Sequence, residues 1–89
     1  MEKEIKILLE AGQRQEAIKK IEAYLQQGGE NADLLLLLGE LIYAEGRMPE
    51  ALNKFNAVLR IRPDDQKARN YVVMINNILG YYCKDLFNP

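Results

Sequence analysis

Three glycines, Gly12, Gly46 and Gly80, stand 34 residues apart. Shifting the chain by that interval lays GQRQEAIKKIEAYL (12–25) on GRMPEALNKFNAVL (46–59). Six of these 14 positions are identical: Gly12/Gly46, Glu16/Glu50, Ala17/Ala51, Lys20/Lys54, Ala23/Ala57 and Leu25/Leu59. Three further pairs, Ile18/Leu52, Ile21/Phe55 and Tyr24/Val58, stay apolar. A match in register with glycines on both sides is an internal repeat, and a period of this length makes each copy one supersecondary unit stacked on the next. With 89 residues there is room for one small domain of this kind.

Each unit reads as two helices. Ala17, Ile18, Ile21, Tyr24 and Leu25 follow helical spacing, as do Ala51, Leu52, Phe55, Val58 and Leu59 in the second copy. Gly12 and Gly46 can take the left-handed conformation that ends the helices before them. Pro49 suits the first turn of the next helix, where a missing N–H costs nothing. Gly28-Gly29 closes the first unit, with Asn31 as N-cap of the third helix. Arg62-Pro63-Asp64 closes the second, because Pro63 disfavours helix at Arg62 and Asp64 can cap the fifth helix. The pattern predicts helices over 2–11, 14–27, 32–45, 48–61 and 65–79.

The segment NADLLLLLGELIYAEG (31–46) carries five consecutive leucines. At about 100° per residue, Leu34 to Leu38 wrap the whole circumference, so this helix is buried on several sides. Its uncharged run ends at Glu40, short of the ~20 residues that span a bilayer. The segment therefore reads as the middle helix of an array, with Leu34, Leu35 and Leu38 facing neighbours and the rest lining a groove. Gly39 within it costs about 1 kcal/mol relative to alanine. That cost points to a close approach by the paired helix, with its own small Ala51.

Residues 32–65 resemble one full tetratricopeptide repeat, a 34-residue helix–turn–helix unit. Leu38-Gly39 match the family's Leu-Gly, Ala51 and Phe55 its Ala-x3-Phe, and Pro63 its closing proline. Leu35 stands for the tryptophan and Ile42 for the tyrosine. The first copy begins at Met1 within its first helix and has Gly29 at the proline position. The third runs from Gln66 to Pro89, with Val73 for the glycine and Asp85 for the alanine. The resemblance implies an all-α fold of antiparallel helix hairpins stacked as a short right-handed solenoid, about five helices plus a C-terminal tail. The single domain divides into repeat 1 (1–31), repeat 2 (32–65) and a capping helix with tail (66–89).

The resemblance also implies a non-catalytic module that binds a peptide or protein segment on the concave side, lined by the first helix of each repeat. The groove residues expected on that side are Lys6, Leu9, Glu10, Asp33, Leu36, Leu37, Glu40, Tyr43, Asn70, Met74 and Asn77. Tyr43 reads equally as the aromatic that seals the third helix to the fifth. Segments 1–10 and 32–45 hold six acids (Glu2, Glu4, Glu10, Asp33, Glu40, Glu45) against Lys3 and Lys6. The expectation is an acidic, apolar-floored groove preferring a basic and apolar segment; a solvated charge distribution without preference is the alternative. Some members of the family capture acidic chaperone tails with groove lysines and asparagines. Leu37 and Glu40 occupy the facing positions here and argue against that clamp.

The end of the chain, NYVVMINNILGYYCKDLFNP, reads in two parts. Tyr71, Val72, Ile75, Ile78 and Leu79 form the stripe that packs on the fourth helix. Val73, Met74 and Tyr81 lie off it, where a capping helix should be polar. Tyr81, Tyr82, Leu86 and Phe87 come next, in a tail that either folds back over the fifth helix or leaves an apolar end. Such an end, with Val73, would dimerise or dock on another protein. The second functional reading is accordingly a self-associating structural domain, a homodimer built through this end.

Other classes are disfavoured. The net charge of −1, from 12 basic and 13 acidic residues, argues against nucleic acid as a partner. No histidine and the single Cys83 leave no catalytic triad, no internal disulfide and no histidine or multi-cysteine metal site. Cys83 itself reads as a packing residue. Glu10 and Glu40 are the one carboxylate pair that could serve acid–base chemistry, and nothing in the pattern holds them together. No catalytic residue, cofactor or metal is expected. The acidic start MEKEIKILLEAG lacks the basic region and apolar run of a secretory signal, and the expectation is a cytoplasmic protein without a membrane partner.

Overall fold

A computed structural model describes the backbone of residues 2–87 and the side chains of residues 2–80. Five helices and no strand occur among the described residues: α1 (Glu2–Glu10), α2 (Arg14–Gly28), α3 (Ala32–Ala44), α4 (Met48–Ile61) and α5 (Gln66–Phe87). Each helix packs on the next in chain order, with α3 on α4 as the most extensive seam.

The two hairpin turns repeat as closely as their sequences do. Gly12 and Gly46 have φ of 75° and 80°. Beyond them the Gln13 N–H donates to the Leu8 carbonyl at 2.8 Å and the Arg47 N–H to the Ile42 carbonyl at 3.2 Å. This is the same closing bond in both copies, and it satisfies carbonyls that the helix end would leave bare. Asn31 caps α3, its side chain accepting from the Leu34 N–H at 3.1 Å. At α5 the cap is Asp65, not the expected Asp64: its Oδ1 accepts from the Ala68 N–H at 2.9 Å. Pro63 and the turn after it place the chain one residue later than the pattern implied.

The core runs through all five helices: Ile5, Ala17, Ile18, Ile21, Leu34, Leu35, Leu38, Leu41, Ile42, Ala51, Phe55, Ala57, Val58, Ala68 and Ile75. The leucine helix is buried as its circumference demands. Leu34, Leu35, Leu38, Leu41 and Ile42 are inside, and Leu36 and Leu37 are half-buried. Among the described residues no helix is long and apolar enough to cross a membrane.

Two expectations need correction. The close neighbour of Gly39 is the Phe55 ring rather than Ala51: a Cβ at Gly39 would lie 2.8 Å from its Cε1. The last helix does not end at Leu79 with a tail folded back; α5 continues to Phe87. Between Leu79 and Phe87 the only unfavourable residue is Gly80, worth about 1 kcal/mol, which a helix of this length tolerates. Gly80 thus holds the register of Gly12 and Gly46 without making their turn. The side chains of Tyr81, Tyr82, Cys83, Leu86 and Phe87, on which the expectations of packing, dimerisation and docking fell, lie outside the described residues.

Candidate functional site

The helices expected to line the concave side, α1, α3 and α5, meet at two seams, and the two differ. Between α1 and α3 lies an open cleft of about 260 Å³, floored by Ile5, Leu9, Leu34 and Leu37 and rimmed by Glu2, Lys6, Asn31 and Asp33. Ile5 and Leu34 are buried, Leu9 and Leu37 half-buried. Four expected groove residues, Lys6, Leu9, Asp33 and Leu37, are therefore brought together. Ile5, Leu34, Glu2 and Asn31 join them without having been anticipated.

The seam between α3 and α5 is closed. The Tyr71 ring stacks on Phe55 with centroids 4.4 Å apart and planes within 3°. Tyr43 meets Tyr71 edge-on at 5.2 Å. Such ring pairs contribute about 0.5–1.5 kcal/mol beyond their buried area. The Tyr71 hydroxyl donates to Glu40 Oε2 at 3.2 Å, and Lys67 Nζ lies 3.1 Å from the same oxygen. Burial, then the Glu40 charge, pushes the Tyr71 hydroxyl above the usual tyrosine range. The hydrogen bond to Glu40, then its charge, raises Lys67. Tyr43 thus acts as the aromatic sealing α3 to α5. Glu40 is a fixed acceptor within that seal rather than an open groove acid.

The remaining candidates lie on α1, α3 and α5 outside the cleft lining. Leu36 is half-buried on α3, and Glu10 is exposed at the end of α1. On α5, Asn70 accepts from the Gln66 amide at 3.0 Å, Asn77 is exposed, and Met74 is 43% exposed. Val73, assigned to a docking end, is 59% exposed.

The acidic excess on the first helices is largely consumed internally. Of the six acids, Glu4 pairs with Lys20 at 2.8 Å and Glu45 with Arg14 at 2.7 Å; Asp33 pairs with Arg62 at 3.0 Å, and Glu40 with Lys67. Arg62 also reaches the α5 cap, Asp65, at 3.3 Å. It therefore ties the start of α3 to the start of α5. Lys6 forms no ion pair among the described residues.

Two broader hollows lie elsewhere. One of about 470 Å³ involves only α1 and α2, with Glu16, Lys19 and Lys20 around Leu8 and Tyr24. Another of about 670 Å³ spans the hairpin-turn end between Gly12–Glu16 and Leu41–Glu45. Charged and amide side chains dominate both rims. The α1–α3 cleft is smaller, but Ile5, Leu9, Leu34 and Leu37 give it an apolar floor between two of the helices expected to line the groove. No group of histidine, cysteine, aspartate and glutamate able to hold a metal ion occurs among the described residues.

The paired turns, the Gly39–Phe55 contact and the helix order are those of a tandem helical repeat. A family model described as Tetratricopeptide repeat matches residues 3–66. The chain belongs to the tetratricopeptide repeat family. No curated protein and no solved structure matches it. Tetratricopeptide repeats are in general protein–protein interaction modules, and residues 3–66 of the matched region include both walls of the open cleft. The tetratricopeptide match stops at the start of α5, where Val73 replaces the repeat's glycine and the helix runs past the turn position.

Proposed function

We propose that this tetratricopeptide protein is a non-catalytic adaptor that holds a peptide or protein segment on its concave side, with the α1–α3 cleft as the principal subsite. The observation that carries this reading is the open apolar floor of Leu9 and Leu37 between two helices of an otherwise packed array. Half-buried leucines in a cleft still offer area to a ligand, at roughly 25 cal/mol per Å² removed from water. Four of the six acids on these first helices make ion pairs within the chain, which weakens the case for a preference for a basic segment.

Affinity capture from extract of the source cell tests the reading, with wild type beside a Leu9→Ser/Leu37→Ser variant verified as folded by circular dichroism. A protein retained by wild type and lost by the variant is the expected result. Identical catches from both would remove the cleft from the binding surface.

Self-association is the second reading, supported by Val73 at 59% and Met74 at 43% exposed on α5. It predicts a dimer in sedimentation analysis that Val73→Ser/Met74→Ser converts to a monomer. A wild-type monomer at high concentration removes it.

A further inference from the structure

The two concave seams occupy the same positions of successive repeats. Moving 34 residues along carries Ile5 to Gly39, Lys6 to Glu40, Leu9 to Tyr43, Asp33 to Lys67 and Leu37 to Tyr71. In the second seam these positions make a closed joint: the Phe55 ring lies against Gly39, and the Tyr71 ring stacks on Phe55, edge-on to Tyr43, with its hydroxyl on Glu40. In the first seam both tyrosines have become leucines. A cleft of about 260 Å³ lies at these positions, lined by both leucines. An apolar cavity of about 150 Å³ is enough to hold benzene.

The charges at the mouth are reversed as well. Where the second seam presents Glu40 to Lys67, the first presents Lys6 toward Asp33, and Asp33 is held by Arg62. Lys6 is left without an ion pair among the described residues. Glu2, the other charged group on the rim, sits in the first turn of α1, where the helix dipole favours a negative charge. A group entering beside Lys6 therefore meets a donor, where Tyr71 met an acceptor.

We propose that the α1–α3 cleft takes one aromatic side chain of a partner protein, and that a carboxylate next to that residue in the partner pairs with Lys6. The partner's ring supplies what Tyr71 supplies to the neighbouring seam, and its acid supplies what Asp33 no longer can. The proposal rests on the concave side being the binding side, and it adds the residue type that side selects.

A display library of random short peptides, selected on the full chain, tests this. The expected enrichment is an aromatic residue adjacent to aspartate or glutamate. In fluorescence polarisation with a selected peptide, alanine at the aromatic position should weaken binding at least about tenfold, a typical effect for losing an aromatic anchor. The variant Leu9→Tyr/Leu37→Tyr puts two rings of the chain's own at the edge of the cleft. It should lose the peptide while melting no lower than wild type. Lys6→Glu, a change at an exposed position, should invert the preference from an acidic to a basic neighbour.

Enriched peptides without an aromatic residue would overturn the proposal and leave the adaptor reading standing. So would aromatic peptides that still bind the folded double-tyrosine variant, or an unchanged neighbour preference in Lys6→Glu. An empty selection overturns it too. The adaptor reading falls with it only if the Leu9→Ser/Leu37→Ser variant also captures the same proteins as wild type.

Discussion

The seam between α1 and α3 and the seam between α3 and α5 are two readings of one design, and they differ in which side chains fill the middle. Gly39 leaves room for the Phe55 ring, and Phe55 makes the platform for Tyr71. At the corresponding positions of the first seam, Ile5 and Ile21 fill the core by themselves, both 2% exposed or less. No phenylalanine ring lies beneath that position to stack on, and Leu37 ends at the edge of an apolar cleft. A glycine paired with a phenylalanine thus closes a joint three helices deep. Two isoleucines stabilise one hairpin and leave its concave edge open. In a stack whose stability is a sum over neighbouring interfaces, the second seam is a closed joint and the first keeps an open cleft, on which the proposed binding rests.

The comparison breaks most completely at Phe55. Phe55→Ala removes the partner of both Gly39 and Tyr71, and a loss of about 3–5 kcal/mol is expected, a large share of a small domain's stability. Urea denaturation followed by circular dichroism measures it. Ile21→Ala, its counterpart, should cost less, because no ring stack depends on it; the reverse order would mean that the first seam carries the fold.

Gly39→Ala weighs two opposed effects. Alanine gains about 1 kcal/mol in helix propensity, but its Cβ would stand 2.8 Å from a ring that is itself fully buried and stacked. Overpacking costs about 1–3 kcal/mol, so a net destabilisation of about 1 kcal/mol is expected in the same measurement. A stabilised Gly39→Ala would show that Phe55 yields and that the joint is loose.

The smallest effect is at the polar edge. Tyr71→Phe keeps the stack and removes the hydroxyl's bond to Glu40, worth about 0.5–1.5 kcal/mol at neutral pH. The pH dependence comes from the two shifted groups. Tyr71 and Lys67 are both raised in the folded state, so their contributions are fully present below the unfolded values near pH 10. They are lost as pH rises through the folded values. Wild type should therefore lose its advantage over Tyr71→Phe above about pH 10, read as converging denaturation midpoints. A constant gap across that range would show that the hydroxyl does not titrate against Glu40.

Most of the backbone was legible in the 34-residue shift. The starts of α2, α3 and α4 agree with their expected limits, and that of α5 lies a residue away. The turns at Gly12 and Gly46 and the cap at Asn31 are local events, decided by a glycine's φ or a side chain's reach. The end of α5 was not legible, because Gly80 occupies a turn register while the residues after it permit helix. Part of the cleft was also foreseen, since Lys6, Leu9, Asp33 and Leu37 lie on the first helices. The fate of Glu40 was not. Its acceptor role depends on Tyr71 and Lys67, about 30 residues away in the chain, and one helix's charge pattern cannot show which cation the next helix will bring.

The sequence by itself determined the repeat, the five helices, the burial of the leucine segment and the need for a close approach at Gly39, because periodicity and backbone preference act over one or two turns. Only the tertiary structure decided that Phe55 makes that approach, that Tyr71 and Tyr43 close one seam, that most groove acids are spent on internal pairs, and that the α1–α3 cleft stays open. Those outcomes depend on volumes and charges meeting across helices, where a leucine in place of a tyrosine separates an open site from a sealed one.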